Sequence, residues 1–257
     1  MIIWLASYPN SGNDFLRSLL SSYIFSKDGS FNEDVTQNID EFPNNSLFKK
    51  LGVDINNLDE MNKNYINSQK ILNKKDSIMF LKTFSCFVHT DKFKFTDRNN
   101  TLGVIYVVRD PRNIVFPLSQ SFQVSEEQSL HNLLIKTYLG KESQSQCTTY
   151  LSSWKDHYNS WKVFARFNKY LLIKYEDLIR DTEKTFLNIL KFIAHLGRVK
   201  FILDETKFKN TLKTTEFKKL NENESKKLKQ IDPKIMNNLK KELENEMKEL
   251  HYLKNKF

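Results

Sequence analysis

Residues 1–20, which read MIIWLASYPNSGNDFLRSLL, decide the fold of this chain. A short apolar run is followed by a turn containing Pro9 and Gly12, and then by apolar residues spaced three and four apart. This order predicts a buried strand, a tight turn and an amphipathic helix. Backbone N–H groups and the positive end of a helix dipole then meet at one point, so the stretch predicts a site for a phosphate-like anion.

The rest of the chain repeats the alternation of strand and helix patterns. Buried strands are predicted at residues 2–6, 78–82, 103–108 and 170–174. Helices are predicted after the first strand and at residues 151–164 and 181–194. The polar segment 31–75 predicts short helices and loops over one sheet edge. Together these patterns indicate the α/β class, with a central parallel sheet flanked by helices.

Length and composition indicate a single domain over residues 1–257. The net charge of +9 is compatible with a polyanionic ligand and equally with a basic solvated surface. Many lysines lie on amphipathic patterns in the last fifty residues, so no nucleic-acid partner is expected. Cys86 and Cys147 lack metal-type spacing and are expected to be reduced, without a metal, in the cytoplasm. No stretch has the pattern of a signal peptide or a membrane span, so no membrane partner is expected.

The turn and helix at residues 7–20 resemble the 5′-phosphosulfate loop of the cytosolic-type sulfotransferases, whose usual form is Tyr-Pro-Lys-Ser-Gly-Thr/Asn-Thr-Trp. These enzymes move a sulfuryl group from 3′-phosphoadenosine 5′-phosphosulfate (PAPS) to a hydroxyl or amine, leaving 3′-phosphoadenosine 5′-phosphate (PAP). The resemblance implies a three-layer sandwich of the P-loop-NTPase-like sulfotransferase fold, with PAPS as donor and no metal. It places these residues at the donor: Asn10, Ser11, Gly12, Asn13, Asp14 and Phe15.

Three of these positions depart from the family pattern: Asn10 replaces lysine, Asp14 replaces threonine and Phe15 replaces tryptophan. A Walker A loop fits less well, because an alignment on Gly12 would require lysine at Asn13. A carboxylate about 4 Å from a bound phosphate would cost roughly 4 kcal/mol at an effective dielectric constant of about 20. Asp14 is alternatively expected to cap its own helix or to pair with Arg17.

A second motif, IYVVRDPRNIVFPLSQS at residues 105–121, resembles the family's 3′-phosphate motif. The resemblance assigns Arg109 to the phosphate, and a guanidinium suits that role because it bonds two oxygens at once. The alternative is a salt bridge between Arg109 and Asp110 or another carboxylate. The family's serine position falls on Pro117, which has no hydroxyl. Since proline removes an N–H, Pro117 is also expected to kink the helix that follows Pro111.

A third motif, FLKTF at residues 80–84, resembles a strand end that in the family reads Lys-Thr-His. The family's histidine is the general base, a role that suits imidazole because its pKa is near neutral. Phe84 stands at that position here. His89 is the candidate base, with a bystander in a loop as the alternative. The resemblance leaves Lys82 to stabilise the leaving phosphate.

The C-terminal half resembles the family in architecture. KYEDL at residues 174–178 is similar to a structural strand-to-loop segment. TTEF at residues 214–217 resembles the family's adenine contact, which implies a polar contact from Thr215 and ring stacking by Phe217. A core aromatic residue is the alternative for Phe217. The family's basic Arg-Lys-Gly closing loop has no counterpart between residues 218 and 233.

Three functional hypotheses follow from these motifs. The first is an active PAPS-dependent sulfotransferase whose site has diverged. The second is a non-catalytic relative that keeps the fold as a binding or scaffold protein. The third is a pocket that takes another anionic ligand. No motif identifies the acceptor, a small molecule or a glycan, and none indicates the oligomeric state.

Overall fold

The central sheet consists of parallel strands, and a separate antiparallel pair lies outside it. The computed structural model describes residues 1–73, 77–88, 93–140, 147–215 and 232–253. The strands within the described residues are β1 (Ile2–Ser7), β2 (Asp40–Glu41), β3 (Met79–Thr83), β4 (Thr101–Val108), β5 (Tyr138–Leu139), β6 (Thr149–Tyr150) and β7 (Tyr170–Lys174). The order in the central sheet is β2-β3-β1-β4-β7, and β5 pairs with β6.

Helices cover both faces of this sheet. Those of the described residues are α1 (Asn13–Phe25), α2 (Glu33–Thr36), α3 (Asn45–Lys50), α4 (Leu58–Leu72), α5 (Val115–Phe122), α6 (Glu126–Leu134), α7 (Trp154–Trp161), α8 (Tyr175–Arg180), α9 (Thr182–Leu196), α10 (Glu205–Thr214), α11 (Pro233–Glu242) and α12 (Glu244–Glu249). Helices α1, α9 and α10 supply one apolar cluster, and α4, α7 and α11 contribute to the other. Among the described helices, none is both long and apolar enough to cross a bilayer.

Strand β1 lies at the centre of the sheet and is buried along its length. Because successive side chains of a strand point to opposite faces, Trp4 joins one apolar cluster while Ile3 and Leu5 join the other. The indole Nε1 of Trp4 donates a hydrogen bond to Thr101 Oγ1 at 3.0 Å, which satisfies a polar group inside the core. Burial on both faces accounts for the uninterrupted apolar run at the start of the chain.

The sequence predictions of the α/β class and of the three-layer sandwich are confirmed. Each predicted strand is present, with ends that differ from the predicted ones by two residues at most. Helix α1 follows β1 directly, and α9 covers the predicted segment 181–194. The patterns succeed here because helices α1 and α9 both have wide apolar faces. The apolar face of α9 includes the buried Phe186.

Two segments differ from their predictions. The predicted helix at 151–164 is shorter, because α7 begins after the capping residue Ser153 and gives way to a 3₁₀ turn over Lys162–Phe167. Segment 31–75, predicted as short helices and loops, includes the fifteen-residue helix α4 and the edge strand β2. Asn57 caps α4 by accepting a hydrogen bond from Glu60 N at 3.2 Å.

The predicted kink at Pro117 is wrong. A 3₁₀ turn over Pro111–Asn113 comes first, and α5 begins only at Val115. Pro117 therefore lies in the first turn of α5, where a backbone N–H would have no partner within the helix. Leu118 N resumes the backbone hydrogen bonds by donating to Ile114 O at 2.9 Å.

Phe186 provides a test of the helix layer formed by α1, α9 and α10. Its ring is fully buried and stacks on Phe208 with centroids 5.6 Å apart. We expect Phe186→Ala to lower the free energy of unfolding by about 3–5 kcal/mol, because it removes buried area and leaves a cavity. Ile202→Ala is the control, since Ile202 is 76% exposed and should change stability by less than about 0.5 kcal/mol. Equal losses in urea unfolding would contradict this packing.

Candidate functional site

A cavity of about 480 Å³ opens at the carboxyl end of β1. Strand β1 lies between β3 and β4, so the connections that follow it run to both of its sides. Ligands of open α/β sheets bind outside the carboxyl ends of the strands at such a change of direction. The cavity joins the β1–α1 turn to the ends of β3 and β4 and to the start of α8. It is lined by Pro9, Asn10, Gly12, Asn13, Asp14, Phe15, Phe84, Arg109, Pro117, Ser121, Phe122, Leu139 and Tyr175.

The turn before α1 depends on two residues with left-handed backbone conformations. Asn10 has φ = 60°, which asparagine tolerates better than most residues, and Gly12 has φ = 98°. A Cβ atom on Gly12 would lie 2.4 Å from Cδ2 of Tyr175, so the ring packs directly on this glycine. Gly12 is also the N-cap of α1 and offers no side chain to the N–H groups of the first turn. The turn thus presents a helix N-terminus to the cavity.

Arg109 lies buried at the end of β4 beside this turn. Its Nη1 donates to the carbonyl oxygen of Asn10 at 2.9 Å, and its guanidinium stacks on the Tyr175 ring 4.4 Å from the centroid. Its Nε and Nη2 atoms have no hydrogen-bond partner among the described residues. No salt bridge among the described residues joins Arg109 to Asp110 or to another carboxylate, and Asp110 instead accepts from Arg112 Nε at 2.9 Å. Arg109 therefore keeps two donor atoms for an anion.

Ser121 lines the cavity one helical turn beyond Pro117. Its hydroxyl donates to the Oδ1 atom of Asn10 at 3.3 Å. Sequence reasoning missed Ser121 because the resemblance places the family's phosphate-binding serine at the position of Pro117. The signal was the four-residue spacing, since residues i and i+4 share a helix face.

Lys82, at the end of β3, is paired with carboxylates. Its Nζ lies 2.7 Å from Asp14 Oδ1 and 3.4 Å from Glu41 Oε2, and it stacks on the Phe84 ring 4.4 Å from the centroid. Only 7% of the lysine side chain is exposed, against 75% for Asp14. Two negative charges thus compensate the ammonium that the resemblance assigns to a leaving phosphate.

The two alternatives for Asp14 are also corrected. Asp14 is the second residue of α1 and does not cap it, because Gly12 occupies the N-cap. Arg17 does not pair with Asp14 but donates from Nη2 to the carbonyl oxygen of Thr36 at 2.8 Å. The Asp14 carboxylate instead stands between the α1 N-terminus and Lys82.

A histidine that sequence reasoning missed lies behind Phe84. His157 is fully buried, with Nε2 donating to the carbonyl oxygen of Phe84 at 3.0 Å and Nδ1 at 2.8 Å from the Tyr106 hydroxyl. Desolvation lowers the pKa of His157 to about 4, so the ring is neutral near pH 7. With both nitrogens engaged, His157 fixes the end of β3 rather than accepting a proton from a ligand.

Other residues of the predicted loop support its shape. The Asn13 side chain turns inward, where Nδ2 donates to Leu5 O at 2.9 Å and Ser7 Oγ at 3.1 Å, tying the turn to β1. Ser11 is buried, and its Oγ has no hydrogen-bond partner among the described residues. Phe15 belongs both to the cavity wall and to the core beneath it.

The remaining predicted residues lie away from the cavity wall or outside the described ranges. Thr215 is the C-cap of α10, is buried, and is not among the described residues that line the cavity. The Oγ1 atom of Thr215 has no hydrogen-bond partner among the described residues. His89 and Phe217 lie outside the described residues. No cluster of three or more His, Cys, Asp or Glu suited to a metal occurs in the described ranges.

A family model described as "Sulfotransferase domain" matches residues 2–255. The chain therefore belongs to the sulfotransferase family. Two solved structures are similar in fold: mouse sulfotransferase SULT7A1 complexed with PAP, and retinol dehydratase in a complex with retinol and PAP. A search of curated protein sequences finds no match.

The structural similarity is one of fold. The mouse enzyme is 15% identical with a TM-score of 0.50, and the match covers 85% of this chain and 65% of that one. This chain thus spans less than two thirds of the mouse protein. Retinol dehydratase is 13% identical with a TM-score of 0.56, and the match covers 96% of this chain and 81% of that one.

The contact between Gly12 and Tyr175 yields a prediction about stability. Gly12→Ala forces a left-handed backbone on alanine and displaces the tyrosine ring. Gly52→Ala is a matched control, because Gly52 also has positive φ but has open space around it. We expect Gly12→Ala to cost about 1–3 kcal/mol more than Gly52→Ala in urea unfolding, the usual cost of overpacking. Similar losses would show that the ring does not press on the glycine.

His157 yields a prediction about pH. The folded protein binds its proton with a pKa of about 4, and the unfolded chain binds it with the ordinary pKa near 6.5. The unfolded state therefore holds more protons between these values, and stability falls as the pH is lowered through that window. We expect the wild type to lose about 2 kcal/mol more than His157→Gln between pH 7 and pH 5. Equal losses in urea unfolding would contradict a neutral buried histidine.

Proposed function

We propose that this protein is a PAPS-dependent sulfotransferase whose donor nucleotide binds in the cavity between the α1 N-terminus and Arg109. The observation that carries the proposal is the buried guanidinium whose Nε and Nη2 lack partners among the described residues. Such donors are costly to bury unpaired, and an anionic ligand would satisfy them. PAP in the two similar structures supports a nucleotide as that ligand.

The proposed donor contacts divide into two groups. The N-terminus of α1 faces one anionic group, because Gly12 leaves its first turn uncapped by a side chain. Arg109 and the Ser121 hydroxyl would bind a second phosphate, in place of the family's arginine and serine. Thr215 and Phe217 remain the candidates for the adenine.

In the proposed reaction a bond forms between the acceptor's oxygen or nitrogen and sulfur. The bond from sulfur to the phosphate oxygen of PAPS breaks, PAP leaves, and the acceptor loses one proton. Lys82 would stabilise the charge that develops on the leaving phosphate. The described part of the site offers the carboxylates of Asp14 and Glu41 as proton acceptors, since Phe84 cannot take a proton and both nitrogens of His157 are engaged. His89 stays a further candidate base.

A second candidate function is a sulfotransferase-fold protein that binds the nucleotide or another anion without catalysis. It is favoured by Lys82, whose charge is balanced by Asp14 and Glu41, and by Phe84 at the expected position of the base. Both candidates place the protein in the cytoplasm, where the free, buried Cys86 and Cys147 would stay reduced. The acceptor would be a small molecule or a glycan, and neither candidate requires a metal, a membrane or a nucleic acid.

Calorimetric titration with PAP, with and without magnesium, tests the donor site. We expect micromolar binding that does not depend on magnesium and that is lost in Arg109→Met. Asp14→Asn should raise the affinity about tenfold, because it removes a carboxylate beside the incoming phosphates. Glu183→Gln, which makes the same charge change on α9, should leave the affinity unchanged.

The result that contradicts the donor site is no heat at millimolar PAP in both the wild type and Asp14→Asn. Binding of inorganic sulfate or phosphate without binding of PAP would assign the cavity to another anionic ligand. PAP binding without sulfation of any acceptor offered would favour the non-catalytic candidate.

A further inference from the structure

A hydrogen-bond network connects the two chain segments that carry Arg109 and Tyr175. The carboxylate of Glu176 accepts from the backbone N–H of Asp110, with Oε1 and N 3.0 Å apart. Asp110 directly follows Arg109 in the chain, and Glu176 directly follows Tyr175. Because the Tyr175 ring stacks on the guanidinium of Arg109, one carboxylate joins the backbone segments of both members of this stack.

The second oxygen of Glu176 binds the hydroxyl of Tyr252. Tyr252 Oη donates to Glu176 Oε2 at 2.8 Å. Burial, together with the negative charge of Glu176, holds the pKa of Tyr252 well above its ordinary value, so the hydroxyl stays protonated and remains a donor. Glu176 therefore has one donor from the segment after β4 and another from the turn after α12.

The turn that carries Tyr252 is fixed independently of Glu176. Tyr252 N donates to the carbonyl oxygen of Met247 at 2.8 Å, and His251 has φ = 58°, the left-handed conformation that commonly ends a helix. Met247 is fully buried in the core. Arg112 Nη2 also donates to the carbonyl oxygen of Tyr252 at 3.0 Å. The Tyr252 hydroxyl thus binds Glu176 from a fixed point.

Arg112 also engages the carboxylate that follows Arg109 in the chain. Its Nε atom lies 2.9 Å from Asp110 Oδ1 and 3.0 Å from Asp110 Oδ2. The network therefore holds the backbone beside Arg109 without using the guanidinium. Its Nε and Nη2 atoms have no hydrogen-bond partner among the described residues.

We infer that Glu176 and Tyr252 are positioning residues of the donor site, which hold the Arg109 guanidinium where a phosphate can reach its Nε and Nη2 atoms. The inference rests on the proposed function, because it concerns the affinity of the same site for the nucleotide. Neither residue is among the described residues that line the cavity, so each acts through its neighbours. A guanidinium that is already held in place loses less freedom when it binds an anion, which raises affinity.

The first test is Tyr252→Phe, which removes the hydroxyl and keeps the ring. We expect calorimetry to show PAP binding about three- to tenfold weaker, the equivalent of one ordinary hydrogen bond. Tyr158→Phe is the matched control, because Tyr158 Oη donates to Glu249 Oε1 of α12 at 2.9 Å. The control also removes a bond from a tyrosine to a glutamate and also affects α12, but it should leave the affinity for PAP unchanged.

Glu176→Ala tests whether Tyr252 acts through this carboxylate. It removes the acceptor of both bonds and should weaken PAP binding at least as much as Tyr252→Phe does. The double variant should bind PAP as Glu176→Ala does, because neighbours in one network are not additive. Thermal unfolding checks that each variant is folded, and additive losses in folded variants would overturn the inference.

A measurement without nucleotide reports the position of Arg109 itself. In an NMR spectrum of protein labelled in its arginine side chains, the Nε–H signal of Arg109 is identified by its loss in Arg109→Met. We expect this signal to shift in Tyr252→Phe and to stay in place in Tyr158→Phe. An unchanged signal in Tyr252→Phe, or equal changes of PAP affinity in the two tyrosine variants, would overturn the inference.

The proposed function fails in a different way. A shift of the Arg109 signal in Tyr252→Phe, in a protein whose wild type does not bind PAP, supports the positioning and contradicts the donor site. PAP binding that neither Tyr252→Phe nor Glu176→Ala weakens supports the donor site and overturns the positioning role.

Discussion

The site depends on one packing interaction, the contact of the Tyr175 ring with Gly12 on one side and Arg109 on the other. Tyr175 begins α8 directly after β7, Gly12 ends the turn after β1, and Arg109 follows β4. The ring thus joins three neighbouring strand ends and keeps the guanidinium beside the α1 N-terminus. Any side chain on residue 12 would separate these parts, which explains glycine with a positive φ at this position.

Charge compensation is the second constraint on the site. Arg109 uses one nitrogen for the backbone of Asn10 and keeps two without partners among the described residues, while Lys82 is balanced by Asp14 and Glu41. On the β4 side of the cavity, Arg109 therefore still has donor atoms for an anion. On the β3 side, the positive charge of Lys82 is already balanced by two carboxylates. This asymmetry distinguishes the chain from the family pattern, in which both sides carry residues for the donor.

The sequence was sufficient for the fold because buried strands and wide helix faces have strong periodic patterns, as in β1 and α9. It also singled out the Gly12 turn and Arg109, which belong to continuous motifs and which both line the cavity. It could not identify contacts between distant segments. Asp14 stood out as an unusual residue, but its partner Lys82 lies 68 positions away. The KYEDL motif gives no sign that the Tyr175 ring packs on the site, and the place of Ser121 depends on where α5 begins after Pro111–Asn113.

We propose that Arg109 and the α1 N-terminus form an anion site that no described residue fills. A crystal structure of the chain grown with PAP tests this most directly. We expect phosphate oxygens on Nε or Nη2 of Arg109, with the Tyr175 ring still stacked on the guanidinium and the Asp14–Lys82 pair intact. A structure in which a side chain of the protein occupies those two nitrogens, with no nucleotide in the cavity, would contradict it.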